Sequence, residues 1–136
     1  VASEQHLGDD HGASFCRSLL KWVSDKRICF EVCLTSNLQT MPELKIKEHA
    51  LKDMLAHNVG VSICTDNRLV SSTTTPKELR IAVDEFQLTP KQLRDVVLNG
   101  FKRSFYSGAY DERRAYVRKV TAYYDRLAKE HGVQIS

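Results

Sequence analysis

Two short apolar segments of the chain each end abruptly in polar side chains. The first, ICFEVCLTSN at positions 28–37, turns polar at its last three residues, which include Ser36 and Asn37. The second, VSICTDN at positions 61–67, ends in Asp66 followed by an amide. Apolar runs of this length are typical of parallel strands that are buried on both faces. The pattern predicts two such strands whose polar ends line a site, as in open α/β folds.

Apolar residues at helical spacing predict that most of the remaining chain is helical. Thr89, Pro90 and Gln92 fit a helix start in which Thr89 caps, Pro90 takes the first position and Gln92 completes a capping box. The expected elements are helices over 14–25, 46–57, 76–86, 90–105 and 111–131, strands over 28–34 and 61–64, and loops over 1–12 and 37–44.

The number of strands restricts the fold class. Two parallel strands cannot form an independent sheet, so either a third strand lies in the first ten residues or the rest of the sheet belongs to another segment. We interpret the chain as α/β, the C-terminal part of a larger α/β domain. Residues 1–136 then form a single partial domain, and residues 107–136 contain its last helix.

Composition and charge exclude several classes of protein. The chain has 136 residues and a net charge of +3, with basic and acidic residues mixed along the helices, so nucleic acid is not an expected partner. No apolar run approaches the roughly 20 residues that cross a bilayer, and the start VASEQHLGDDHG does not resemble a signal peptide. The four cysteines form no CxxC pair and are expected to be buried free thiols, which favours a reducing, cytoplasmic compartment.

Asp66 is the strongest candidate for chemistry. A carboxylate at the C-terminal end of a buried parallel strand lies where barrel and open-sheet enzymes hold ligands and catalytic groups. The alternative is that Asp66 caps a turn or the following helix. Asn67 can both donate to and accept from a planar heterocycle. Ser36 and Asn37 mark the matching tip of the first strand, where the alternative role is capping of a loop.

The histidines give weaker signals. His57 and His131 lie near predicted helix C-termini, where an imidazolium interacts favourably with the helix dipole, and are interpreted as structural. His49 opens a predicted helix after a loop. His6 belongs to the cluster HLGDDHG, whose composition fits a metal site but also solvated terminal residues.

Three segments resemble the adenosine deaminase family. FEVCLTSNLQT at 30–40 and VSICTDN at 61–67, separated by a helix containing EHALK, are similar to strand ends that read E-V/I-C-P-x-S-N and T-D-D-P in that family. PKELRIAVDEFQLTPKQLRDVVLNGFKRSFY at 76–106 and DERRAYVRKVTAYYDRL at 111–127 look like its closing helices. The resemblance covers about residues 30–127.

The resemblance implies an eight-stranded (β/α)8 TIM-type barrel with one Zn²⁺. The family holds zinc with two histidines after the first strand, one after the fifth, and the aspartate that matches Asp66. It hydrolyses the exocyclic amine of adenosine, which yields inosine and ammonia. Asn67 replaces the second aspartate, which contacts a purine ring nitrogen, and Arg68 replaces the usual proline. His6 falls near the catalytic histidine of the sixth strand, or stands for a later loop histidine.

Three functions are therefore considered. The first is the C-terminal part of a zinc-dependent purine deaminase, in which this chain alone is expected to be inactive without the missing N-terminal barrel segment or a complementing chain. The second is a non-catalytic barrel fragment that acts as an interaction or oligomerisation module and lacks zinc. The third is a helix-turn-helix DNA-binding module at LTPKQLRDVVLNGFKRSF. The apolar residues of that segment argue against it, because they form a stripe that fits a protein core.

Overall fold

The computed structural model describes residues 3–135, with side chains from His11 onward. It contains seven α-helices in that range, one short 3₁₀ helix and two strands. In chain order they are α1 (Ser3–Asp25), β1 (Cys29–Val32), α2 (Leu34–Thr40), the 3₁₀ helix (Ile46–Glu48), α3 (Leu51–Ala56), β2 (Gly60–Ile63), α4 (Arg68–Ser71), α5 (Thr75–Phe86), α6 (Pro90–Lys102) and α7 (Tyr110–Glu130).

The two strands form a parallel sheet. Cys29 pairs with Gly60, and the register continues to Val32 opposite Ile63. One bond beyond that pair, the Cys64 N–H donates to the Val32 carbonyl at 2.9 Å. Parallel neighbours need a crossover connection, which α2, the 3₁₀ helix and α3 provide here. Both predicted strands are confirmed, β1 with shorter bounds and β2 shifted by one residue, and the α/β class is confirmed for the described chain. The expected burial on both faces is wrong for β1, in which only Val32 is buried.

One face of this sheet is covered by helices. Val32, Val61 and Ile63 point into a core that also contains Leu51 of α3 and Ala82 of α5. Burying a side chain such as Val61 or Leu51 stabilises the fold by roughly 1.5–3 kcal/mol before the entropy cost of ordering it. The sheet therefore depends on α3, α5 and α6 for its stability.

Helix α6 is fixed against the sheet and against α7. The Thr89–Gln92 capping box is present at its start, as the sequence predicts. The Asn99 side chain donates to the Val61 carbonyl of β2 at 3.0 Å. On the opposite side, the Arg94 guanidinium makes two bonds to Asp125 of α7, at 2.7 and 3.0 Å. This pairing raises the pKa of Arg94 and lowers the pKa of Asp125.

Three local predictions were wrong. The first twelve residues were expected to be a loop, but α1 begins at Ser3. Gly8 and Gly12 weaken a helix but keep their backbone N–H groups, so they do not prevent one. Since residues 3–10 are helical, the third strand considered there is also excluded. The loop expected from residue 37 is helical up to Thr40. The helix expected over 46–57 is interrupted at His49, whose backbone is extended.

Among the helices of the described residues, none combines the length and apolar character needed to cross a bilayer. The last helix, α7, lies inside the 107–136 segment that was expected to end the domain, and its side chains are partly buried or exposed rather than fully buried.

Candidate functional site

The structure brings together two of the residues singled out in the sequence. The Ser36 hydroxyl donates to a carboxylate oxygen of Asp66 at 2.9 Å. Ser36 lies four residues after the end of β1 and Asp66 three residues after the end of β2. The carboxyl ends of the two parallel strands therefore meet at one edge, as their polar endings indicate. Asp66 is exposed, so its second oxygen faces space that a ligand can enter.

Asn67, not Asp66, caps the following helix. The Asn67 Oδ1 accepts the backbone N–H groups of Leu69 and Val70, at 3.1 and 3.2 Å. The cap fixes the backbone immediately after Asp66, because four residues of α4 offer few other bonds to hold it. Asn67 Oδ1 is thus engaged within the chain, and its amide N–H groups are what it offers to a ligand.

Asn37 lies in α2 rather than in an extended strand tip. Its carbonyl accepts the Met41 N–H at 3.0 Å and the Thr40 hydroxyl at 3.2 Å, which closes the end of the helix. The polar residues at the end of β1 therefore form the beginning of a helix whose first turn carries Ser36. The hydrogen bonds that involve Asn37 are made by its backbone.

A buried carboxylate that the sequence analysis missed lies behind this pair. Glu78 of α5 is 0% exposed. Its carboxylate accepts the Thr35 N–H at 3.1 Å, the Thr35 hydroxyl, and the Thr73 hydroxyl at 2.7 Å. The sequence signal for the burial of Glu78 was its spacing, because it stands four residues before Ala82 on the buried face of α5.

Two cysteine side chains lie at the same end of the sheet. Cys33 follows β1 and Cys64 follows β2, and both are partly buried. Burial, followed by the charges of Cys64, Asp66 and Glu78, raises the pKa of the Cys33 thiol. Cys33 is therefore a neutral thiol at neutral pH, which agrees with a packing role. Cys16 was expected to be buried but is exposed.

The histidines lie away from this edge or outside the described side chains. The Nδ1 of His49 accepts the Leu51 N–H at 3.0 Å, and His49 is buried beside Phe86, so its role is to start α3. Burial lowers the pKa of His49. His57 and His131 stand at the C-terminal ends of α3 and α7, as predicted. His6 belongs to α1, but its side chain falls outside the described residues.

The donor groups near Asp66 determine whether a metal ion fits this edge. Among the side chains from His11 to Ile135, no three of His, Cys, Asp and Glu are grouped to hold a metal. Asp66 fits the part of one ligand, because it is an exposed carboxylate oriented by a hydroxyl. A complete set of three ligands therefore needs groups other than those side chains.

Comparison with known proteins identifies the family. A sequence model of adenosine deaminase matches residues 6–123. The chain belongs to the adenosine deaminase family. The region that places it in this family includes His6, Ser36, Asn37, Asp66 and Asn67, so the resemblance found in the strand ends is confirmed.

Individual members of the adenosine deaminase family are similar over most of the chain. Adenosine deaminase of Salmonella schwarzengrund (strain CVM19633) is 36% identical over 106 residues, which cover 78% of this chain and 31% of that protein. Adenosine deaminase of Escherichia coli O139:H28 is 34% identical with the same coverage. The chain thus spans about a third of the length of the curated relatives it matches.

Solved structures show the same relationship in three dimensions. Arabidopsis ADAL complexed with IMP superimposes with a TM-score of 0.66 and 27% identity over 80% of this chain and 30% of that one. The Arabidopsis N6-mAMP deaminase MAPDA gives a TM-score of 0.63 and 27% identity over 74% of this chain and 29% of that one. The described residues thus share the arrangement of one portion of these two proteins.

Proposed function

We propose that this chain is the C-terminal part of a zinc-dependent purine deaminase with a (β/α)8 barrel, and that Asp66 is one of its zinc ligands. The observation that carries the proposal is the bond from Ser36 to Asp66, which joins the carboxyl ends of two adjacent parallel strands inside the family match. Barrel enzymes place their reacting groups at this end of the strands.

Asp66 has the properties that a metal-binding carboxylate needs. One of its oxygens accepts the Ser36 hydroxyl, and that bond restricts how the carboxylate can rotate. Its exposure leaves the remaining lone pairs accessible. Zinc, when bound, supplies a Lewis acid that lowers the pKa of water and so makes it a nucleophile at neutral pH. The role proposed for Asp66 is to hold the metal ion and fix its orientation in the site.

Asn67 is proposed to contact the purine ring as a donor. Its Oδ1 is used by the N–H groups of Leu69 and Val70, so only the Nδ2 hydrogens are available to a substrate. A neutral N–H donor suits a ring nitrogen that carries a lone pair. His6 is kept as a candidate for proton transfer to or from the attacking water.

The substrate class is a purine that carries an amine on its six-membered ring. The relatives in Salmonella and Escherichia coli are named adenosine deaminase, which favours a nucleoside. The two Arabidopsis neighbours are described with IMP bound and as an N6-mAMP deaminase, so a nucleotide is the competing form. Hydrolysis would replace the amine with oxygen and release ammonia.

Catalysis also requires groups beyond this chain's described side chains. A single carboxylate is a weak zinc site, and catalytic zinc is held by at least three protein ligands with a position open to water. We propose that the remaining ligands come from the part of the barrel that the relatives have and this chain does not span, either in a longer polypeptide or in a complementing chain. The other proposed partner is the purine substrate, whereas nucleic acid and membranes are not proposed as partners. The proposed location is the cytoplasm.

A chimera tests the proposal. This chain would replace the matching C-terminal third of the Salmonella adenosine deaminase, and ammonia release would be followed with adenosine, AMP and N6-methyl-AMP. The chimera is expected to deaminate at least one of them, and Asp66→Asn is expected to reduce the rate by more than about 100-fold. Asp53→Asn, an exposed aspartate on α3, is the matched control. A folded chimera that deaminates none of the three would refute the proposed activity.

A non-catalytic interaction module is the second candidate, and one observation favours it. Phe15, Leu19 and Trp22 of α1 are 68%, 46% and 52% exposed and lie at helical spacing on one face. Such a stripe promotes association. Sedimentation of the chain alone would support this function if a metal-free homo-oligomer forms and is disrupted by Leu19→Glu but not by Val133→Glu, which changes an exposed residue elsewhere. A monomer would remove it.

A further inference from the structure

We propose that Glu78 is a positioning residue that holds Ser36 in place to orient Asp66. The significance of this role for a reaction rests on the proposed function of Asp66 as a zinc ligand. Glu78 itself does not reach the open edge of the site, since it is completely buried beneath it. It acts through the two segments that it joins.

The carboxylate of Glu78 joins three parts of the chain. It lies on α5 and accepts both the backbone N–H and the hydroxyl of Thr35, which is the residue before Ser36. It also accepts the hydroxyl of Thr73, at the far end of the segment that begins with Asp66. Both segments that carry the Ser36–Asp66 pair are therefore attached to one fixed group.

The burial of this group makes the attachment strong. A carboxylate removed from water is costly unless hydrogen bonds compensate it. Here three donors converge on its two oxygens, and bonds to an ionised acceptor are stronger than those between neutral groups. Since no other described group takes the place of Glu78 as acceptor for these donors, their geometry depends on it.

Ser36 is sensitive to this attachment because of where it lies. It is in the first turn of α2, where the backbone N–H groups have no partner within the helix. The residue before α2, Cys33, provides no side-chain cap. The Thr35 N–H is instead taken by Glu78, so that Glu78 performs the task of a cap from a distant helix. Without it, the turn that aims the Ser36 hydroxyl at Asp66 loses its anchor.

Glu78→Gln is the most conservative way to weaken the attachment. Glutamine has nearly the same shape, but one acceptor oxygen becomes an NH₂ group that faces the donors of Thr35 or Thr73. The Thr35 and Thr73 hydroxyls can turn to accept from that NH₂ group, so bonds to a carboxylate are replaced by weaker bonds to an amide. Thr73→Val is a milder second variant, which keeps the shape and removes a single bond to Glu78.

The test is a double-mutant cycle read by NMR on the chain itself. The carbon-13 shift of the Asp66 carboxyl carbon reports its bond from Ser36, so Ser36→Ala is expected to displace that signal. In a Glu78→Gln background, the displacement caused by Ser36→Ala should fall to less than about half its wild-type size. Glu85→Gln, an exposed glutamate on the same helix, is the matched control and should leave the displacement unchanged.

A purely structural Glu78 would give a different result. If Ser36→Ala displaces the Asp66 signal by the same amount with and without Glu78→Gln, Glu78 does not position the pair. If Glu78→Gln prevents folding, Thr73→Val decides, because it should also reduce the displacement, and an unchanged displacement there overturns the proposal. The NMR signal needs neither zinc nor turnover. Coupled shifts together with an inactive chimera would therefore reject the deaminase function while keeping the positioning role.

Discussion

The Ser36 hydroxyl lies 2.9 Å from the Asp66 carboxylate and donates to it, although the two residues are 30 positions apart. The contact exists because β1 and β2 are adjacent and parallel, so that their carboxyl ends lie side by side. A hydroxyl that holds a carboxylate in one orientation is a common support for a metal ligand. The edge of this small sheet is thereby arranged around Asp66.

His49 should make folding stability depend on pH. Burial lowers its pKa below the usual 6.5, and its Nδ1 already accepts the Leu51 N–H. Below about pH 6.5 the unfolded chain therefore binds more protons than the folded one. The contribution of His49 to the free energy of unfolding is fully present above that pH. It is lost progressively as the pH falls from 6.5 towards the lower pKa of the folded state.

His49→Asn isolates this effect. The Asn Oδ1 can accept the Leu51 N–H as the Nδ1 does, but it does not titrate. Urea unfolding measured from pH 7.5 to 5 should therefore show a shallower loss of stability in the variant than in the wild type. His57→Asn serves as the control for the loss of one imidazole. Equal pH slopes in His49→Asn and wild type would contradict the assignment.

The cap provided by Asn67 should be measurable in the free energy of unfolding. Asn67→Ala removes the acceptor for Leu69 and Val70 and is expected to cost about 1 kcal/mol. Asn67→Asp keeps a side-chain oxygen at the cap and should stay within about 0.5 kcal/mol of the wild type. Chemical denaturation followed by circular dichroism gives both values. An Ala variant as stable as the Asp variant would show that the cap is unimportant.

The contact between α6 and β2 should be sensitive to a single methyl group. A Cβ added at Gly100 would lie 2.9 Å from the Ser62 hydroxyl oxygen, which is too close. Gly100→Ala is therefore expected to destabilise the wild type by about 1–3 kcal/mol. In a Ser62→Ala background the clash is gone, and the same change should instead stabilise by up to about 1 kcal/mol through helix propensity. Thermal or urea unfolding in both backgrounds gives the sign of the Gly100→Ala effect, and that sign tests the predicted clash with Ser62.

Features with local signals were predictable from the sequence. The two strands coincide with mainly apolar runs, and the start of α6 contains its whole cap within four residues, Thr89 to Gln92. The meeting of Ser36 with Asp66 followed from the parallel arrangement of the two strands. In each case, the residues that determine the structure are close in sequence or belong to one regular pattern.

Features that depend on distant partners were not predictable. Glu78 and Thr35 are 43 positions apart, and a glutamate near the start of a helix normally indicates a solvated residue. The interruption at His49 arises because its imidazole replaces a helix-starting side chain, a role usually held by Ser, Thr, Asp or Asn. Both depend on tertiary packing that a single sequence does not show.

The zinc content of the chimera tests the central claim most directly. Native mass spectrometry would compare the wild-type chimera, Asp66→Asn and the control Asp53→Asn, each prepared with the same limiting zinc. We predict that the wild type and the control retain one zinc ion and that Asp66→Asn loses it, because the amide is a far poorer ligand than the carboxylate. Full zinc retention by Asp66→Asn would contradict the assignment of Asp66 as a ligand.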